Sequence, residues 1–179
     1  IHEYTKAGTH TVTLTAIKKG EPPKTSTTTI TITVRPGQLD HVKIEPDVVT
    51  VDVAKELKFT GTALDRFDNP IPNLSYAFRS DEKAGKVDNE GKFTAGAKVG
   101  SYENSVIVEV AQGSATKTAT ARVTVKPGPL DRVIIEPGEA IVEVTKEQKF
   151  NATALDRFGN PIPGHSYTFR SDAQVGRVD

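Results

Sequence analysis

The sequence predicts an all-β chain of tandem β-sandwiches, and three observations predict it. β-Branched and apolar residues alternate with threonines at a period of two; Gly, Pro, Asn and Asp cluster between those runs; and a 54-residue stretch returns in similar form 91 positions on. No stretch carries an apolar period of 3.6, so no helix is expected.

The repeat organises the chain. Residues 35–88 align without a gap on residues 126–179, and 33 of the 54 pairs are identical. "RPGQLDHVKIEP" returns as "KPGPLDRVIIEP", "ALDRFDNPIP" as "ALDRFGNPIP", and "SYAFRSDEKAGKVD" as "SYTFRSDAQVGRVD". One full period therefore covers residues 35–125 and a second begins at Lys126. Residues 1–34 read as the closing strands of a preceding unit.

Each element follows from the alternation. Val12, Leu14 and Ala16 face away from Thr11, Thr13 and Thr15, and Ile30, Ile32 and Val34 face away from Thr31 and Thr33, which reads as a hairpin with one apolar face. Within the full unit, Leu57, Phe59, Gly61 and Ala63 share one side of an expected strand over 56–64. Tyr76 and Phe78 share a side of the next, 75–79. Tyr102, Val106, Val108 and Val110 make a longer stripe, and Ala119, Ala121, Val123 and Val125 close the unit. Short strands separated by turns within about 90 residues point to a sandwich of immunoglobulin type. Phe59, Tyr76, Phe78, Val106, Val108 and Val123 are the expected core.

The repeated decapeptide at 63–72 and 154–163 lies between two strands and is read first as a corner. Asp65 and Asn69 can bond nearby backbone amides, and Asn tolerates positive φ. Gly159 stands where the first copy has Asp68, the exchange expected where φ is positive or the position exposed. Pro70 and Pro72 stop the loop from extending either ladder. Phe67 and Phe158 are expected to fold back over the end of the sandwich. Two chemical readings stand beside the corner. Asp65, Asp68 and Asn69 could contribute oxygens to calcium, a reading weakened where Asp68 becomes Gly159, because calcium takes six or more ligands. A catalytic carboxylate pair would need a pocket that a small sandwich seldom has.

Composition and the remaining polar residues argue against other chemistry. Lys plus Arg and Asp plus Glu each number 23, so bulk charge favours neither nucleic acid nor an anionic surface. No apolar run approaches the roughly 18 residues needed to span a bilayer. With no cysteine there is no disulfide framework and no thiolate metal site. His2, His10, His41 and His165 are scattered without ligand spacing. Ser80 and Ser171 have no evident His partner, and Asp81 and Asp172 read as strand-end caps. No Gly-rich phosphate loop is present. No catalytic residue and no cofactor is assigned. Two sequons, Asn73-Leu74-Ser75 and Asn151-Ala152-Thr153, are candidate glycosylation sites. They sit at different repeat positions, and Asn151 is the better candidate because it alternates with Phe150 and Ala152 and so faces outward.

"ALDRFGNPIPG", "YTFRSD", "GKVDNEGKFTAG" and "TATARVTV" resemble the bacterial immunoglobulin-like (Big, invasin/intimin-type) domains of large surface proteins, over residues 39–125 and again from 130. "EYTKAGTHTVTLTAI" with "TTTITITV" resembles the last hairpin of a polycystin-type (PKD) domain. The resemblance implies extracellular or cell-surface stalks, adhesins, surface-layer or filament components, or, as the alternative, spacer or accessory carbohydrate-binding modules of secreted polysaccharide-degrading enzymes. It implies no catalytic residue here. It implies as partners other such modules of the same protein or of neighbouring copies, and glycans or host surface proteins reached through other domains.

The joints carry the functional expectation. Val34 runs into "RPGQLD" and Val125 into "KPGPLD", leaving about four residues before the next strand, far stiffer than a Gly/Ser linker. Tandem copies then form a rod growing by roughly 40 Å per copy. Half a sandwich exposes an apolar face and unpaired edges, so residues 126–179 are expected to repeat the strand order of 35–88 and to need strands from elsewhere. Those strands come either from further sequence of a longer chain or from residues 1–34 of a neighbouring copy, in head-to-tail complementation.

Overall fold

In the computed structural model, which describes residues 2–21 and 24–172, the protein is all-β, with 13 strands and no helix among the described residues. The first two strands, β1 (Gly8–Lys18) and β2 (Lys24–Val34), form an antiparallel hairpin by themselves. Their threonine-rich alternation makes the ladder, yet Val12, Leu14 and Ile30 stay exposed.

Between Leu39 and Val125 the chain folds into an immunoglobulin-like sandwich with one continuous core. Its strands are β3 (His41–Glu45), β4 (Val48–Asp52), β5 (Glu56–Lys58), β6 (Thr60–Leu64), β7 (Tyr76–Ser80), β8 (Gly85–Val87), β9 (Lys92–Ala95), β10 (Gly100–Gln112) and β11 (Ala115–Lys126). One sheet runs β4-β11-β10-β7, with β4 parallel to β11; β3 pairs with β6, and β5-β9-β8 forms a third sheet. Phe59, Phe93, Val106, Val108 and Val123 are fully buried, and the rings of Phe59 and Phe93 meet edge to face at 5.8 Å. Tyr76 and Phe78, expected in the core, are only partly buried and flank it. The Tyr76 hydroxyl accepts the Ala63 N–H at 3.1 Å, and Tyr167 repeats this bond to Ala154 at 2.8 Å.

The single strand expected over 56–64 is two strands. The chain changes sheets at Phe59, with β5 pairing to β9 and β6 to β3. Phe59 N–H donates to the Gly91 carbonyl at 2.8 Å, and Gly91 sits at φ 83° so close that a Cβ there would lie 2.3 Å from the Phe59 oxygen. The inward alternation survives the switch, because Phe59 and Ala63 both remain buried. A second departure lies in β10, where the register against β11 shifts between Tyr102 and Val106; Asn104 takes φ 49°, and buried Ser105 donates to the Ala121 carbonyl.

The expectation that the second copy repeats the strand order of the first fails among the described residues. Only β12 (Arg132–Glu136) and β13 (Asn151–Leu155) form, paired with each other as β3 is with β6. Residues 138–150 and 162–172 carry no strand. The reason is partnership. β4, β5 and β7 are held by β11, β9 and β10, which have no counterpart among residues 126–172, whereas β3 and β6 hold each other. The rest of the expectation, at 173–179, lies outside the described residues.

Candidate functional site

The repeated decapeptide builds the joint between consecutive units. Asp65 directly follows β6 and is almost wholly buried. Its Oδ1 accepts the N–H groups of Phe67 at 2.8 Å and Asn69 at 3.0 Å, which closes the corner on itself. Its Oδ2 accepts the N–H of Gly37 at 2.8 Å, which ties down the segment joining β2 to β3. The Asn69 side-chain amide donates one hydrogen to this carboxylate, 3.1 and 3.0 Å from its two oxygens. The other hydrogen goes to the Thr5 carbonyl at 2.8 Å, and the Asn69 Oδ1 accepts the Ala7 N–H at 2.8 Å. Thr5 and Ala7 belong to the loop that leads into β1, so the corner of one unit grips the unit before it.

The second copy repeats the device. Asp156 accepts from Gly128 at 3.0 Å, Phe158 at 2.9 Å and Asn160 N–H at 2.8 Å. The Asn160 amide spans the Asp156 oxygens and donates to the Ala97 carbonyl at 2.8 Å. Ala97 leads into β10 as Thr5 leads into β1, and both loops read x-Lys-x-Gly: Thr5-Lys6-Ala7-Gly8 and Ala97-Lys98-Val99-Gly100. Donor, acceptor and loop recur at both joints.

Electrostatics follow the bonding. The Gly37 N–H, aided by the Asn69 amide and the Asn69 and Phe67 N–H groups against the opposing effect of burial, holds the Asp65 carboxyl far below the ordinary range. Burial pushes Asp156 up, but the Asn160 amide and the N–H groups of Gly128, Asn160 and Phe158 outweigh it and leave the carboxyl at about 2. Both are fixed anions, fully committed to amide donors.

The joining segments are pinned elsewhere too. Leu39 N–H donates to the Gln112 side chain at 2.6 Å and Asp40 N–H to the Leu64 carbonyl at 2.9 Å; Asp131 N–H repeats the latter to Leu155 at 2.9 Å. An open cleft of about 490 Å³ lies at the first joint, lined among others by Tyr4, Arg35, Leu39 and Phe67. Phe67 and Phe158 are half-exposed rather than folded away, each with the preceding arginine stacked over its ring at 4.5 and 4.6 Å.

Of the three calcium candidates, the structure brings Asp65 and Asn69 together and turns Asp68 outward. Asp68 Oδ1 meets Lys43 Nζ at 3.0 Å and His41 Nε2 at 3.1 Å, and Lys43 lowers its pKa. No cluster of three or more His, Cys, Asp or Glu suited to a metal occurs among the described residues. Positive φ falls on Asp68 (61°) and Gly159 (83°), as their exchange predicts, and on Asn73 (62°) with its counterpart Gly164 (82°), but not on Asn69. The sequons Asn73 and Asn151 are both exposed. Sequence reasoning missed what Asn69 and Asn160 touch; the one available signal was that both "DNP" and "GNP" keep the Asn while the residue before it changes.

No protein-family model matches the chain, and no curated protein matches it. Solved structures to which it is similar include a protocadherin gammaB7 EC3-6 cis-dimer, at 17% identity and TM-score 0.44 over 82% of this chain and 42% of that one. Mouse cadherin-23 EC22-24 is similar at 12% identity and TM-score 0.42, over 80% and 53%. Surface layer protein SbsC, domains 1-6, is similar at 22% identity and TM-score 0.39, over 87% and 20%. The chain thus spans about half or less of each of these structures.

Proposed function

We propose that the chain is a non-catalytic segment of an extracellular surface protein, a stiff stalk of tandem immunoglobulin-like modules at 1–34, 35–125 and 126–179, of the bacterial immunoglobulin-like kind with a polycystin-type hairpin in front. The observation that carries this reading is the repeated grip of Asn69 on Thr5 and of Asn160 on Ala97. A loop that only turned the chain would need Asp65 and Asp156; it would not need a buried amide aimed at the neighbouring module. Hydrogen bonds across a short Pro-Gly joint remove the rotational freedom that a flexible linker keeps. In this reading the corner holds modules and needs no cation.

The test is joint rigidity. Residual dipolar couplings on the 179-residue chain should fit one alignment tensor across residues 24–34 and 39–125. With Asn69→Ala the two regions should need separate tensors. Independent alignment already in the unaltered chain would overturn the reading.

A further inference from the structure

The chain enters and leaves the central sandwich at opposite ends. At the entry, Leu39 N–H donates to the Gln112 side chain at 2.6 Å and Gly37 N–H to Asp65 at 2.8 Å, so the turn between β10 and β11 and the corner after β6 both lie there. At the exit, the Lys126 carbonyl accepts the Val53 N–H at 2.9 Å, and Ala97, just ahead of β10, meets Asn160 of the next unit. β11 therefore runs from the entry end to the exit end, and β4, parallel to it, runs the same way.

That arrangement sets two strands directly against each other. Tension on the entry side reaches β4 through β3, from which only Pro46 and Asp47 separate it, and draws β4 back toward the entry. Tension on the exit side acts on Lys126, the last residue of β11, and draws β11 forward. Between them lie the residue pairs from Arg122↔Val48 to Lys126↔Asp52. Hydrogen bonds close this ladder at both ends, from Arg122 N–H to the Asp47 carbonyl at 2.8 Å and from Val53 N–H to the Lys126 carbonyl at 2.9 Å. The period of two along a strand aims the N–H groups of Val49 and Val51 to the same side as that of Val53. Val49 and Val51 also pack against the core, and Val53 is buried in it. A pull along the strands strains all of these bonds together, whereas a pull across them breaks the bonds one after another.

We infer that the central sandwich bears tension along the stalk, with β4 and β11 as a clamp loaded in shear. The module then transmits force as well as setting a distance. β3 adds to the hold, because its pairs with β6, from His41↔Leu64 to Glu45↔Thr60, lie ahead of the clamp on the loaded path. This rests on the stalk reading and gives it a mechanical duty. The clamp lies wholly within one unit, so pulling points set inside that unit test it, while joint rigidity is measured without load. The two readings therefore fail independently.

The experiment is single-molecule pulling on the 179-residue chain. The chain has no cysteine, so two introduced ones fix the pulling points. Gln38→Cys with Lys126→Cys pulls lengthwise, and Gln38→Cys with Ser114→Cys pulls across the entry end; all three positions are exposed. At one loading rate, lengthwise unfolding of the sandwich should need a force about twofold higher or more, because the two directions cross different unfolding barriers. Val51→Pro, which removes the donor in the middle of β4, should bring the lengthwise force down to the crosswise level. Val87→Ala, on β8 and outside the loaded strands, should lower the lengthwise force far less. Equal forces in the two directions would overturn the clamp. So would an equal fall of the lengthwise force in Val51→Pro and Val87→Ala. Should Val51→Pro fail to fold, the comparison of the two directions decides by itself.

Discussion

Asn160 reaches 63 residues back along the chain to donate to the Ala97 carbonyl at 2.8 Å, while the same amide group lies against the Asp156 carboxylate. The geometry makes the Asn160 amide the coupling element, a part its acid counterpart cannot play. An Asp cannot donate to two acceptors at once, and would set a second anion beside Asp156.

Asn160→Ala should therefore remove the bond to Ala97 and cost about 1 kcal/mol locally. The melting of the central sandwich should barely move, because its core does not include Asn160. Asn160→Asp should be worse, through like-charge repulsion with Asp156. Amide exchange at the second joint measures both; equal protection in all three proteins would contradict the coupling role.

The buried anions predict acid sensitivity of a definite sign. Folding lowers the carboxyl pKa of Asp65 and Asp156 from an unfolded value of about 4, so their contribution is full above that value. It is lost as pH falls, between about 4 and about 2 for Asp156 and continuing lower for Asp65. Exposed Asp68 and Asp88 are also lowered, so the contrast with Asp65→Asn and Asp156→Asn isolates the corners. Chemical denaturation from neutral to acid pH should show a shallower acid-side decline in those variants.

Phe59→Ala should destabilise the central sandwich by about 3–5 kcal/mol, since the ring is fully buried against Phe93. Leu14→Ala, on the exposed face of β1, should change little in a monomeric chain. Equal effects by denaturant unfolding would mean that β1–β2 is packed on something within the same chain.

Gly91→Ala should cost on the order of 1–3 kcal/mol, from a strained positive φ and a backbone clash with the Phe59 oxygen. The loss should appear in the β5-β9-β8 sheet first. A neutral substitution would show that the sheet switch at Phe59 does not depend on this close approach.

Calcium should leave the melting temperature unchanged, because both Asp65 oxygens accept amide donors and Asp68 is turned to Lys43. Scanning calorimetry with calcium and with a chelator checks this. A calcium-dependent rise that disappears in Asp65→Ala would reassign the corner as a cation site.

Much of the fold was legible from local pattern. Alternation placed Phe59, Val106, Val108 and Val123 inward, and the exchange of Asp68 for Gly159 marked a positive φ that both residues adopt. Each of these depends on a residue's own backbone and on which face of a strand it occupies, and single positions encode both. The split of 56–64 at Phe59 was not legible, because the alternation is the same whether or not the strand changes partner. The bulge at Asn104 and the missing strands of 138–150 are likewise matters of partnership.

The sequence by itself determined that this is a β protein, where its units repeat, which residues turn the corner and that Phe59, Val106, Val108 and Val123 point into the core. Only the tertiary structure decided that Asn69 and Asn160 reach out of their own units to Thr5 and Ala97. Burial and turn chemistry are properties of short segments. The acceptor of a side-chain amide is chosen by whichever backbone the folded chain brings within hydrogen-bonding distance, and that choice exists only once the units are side by side.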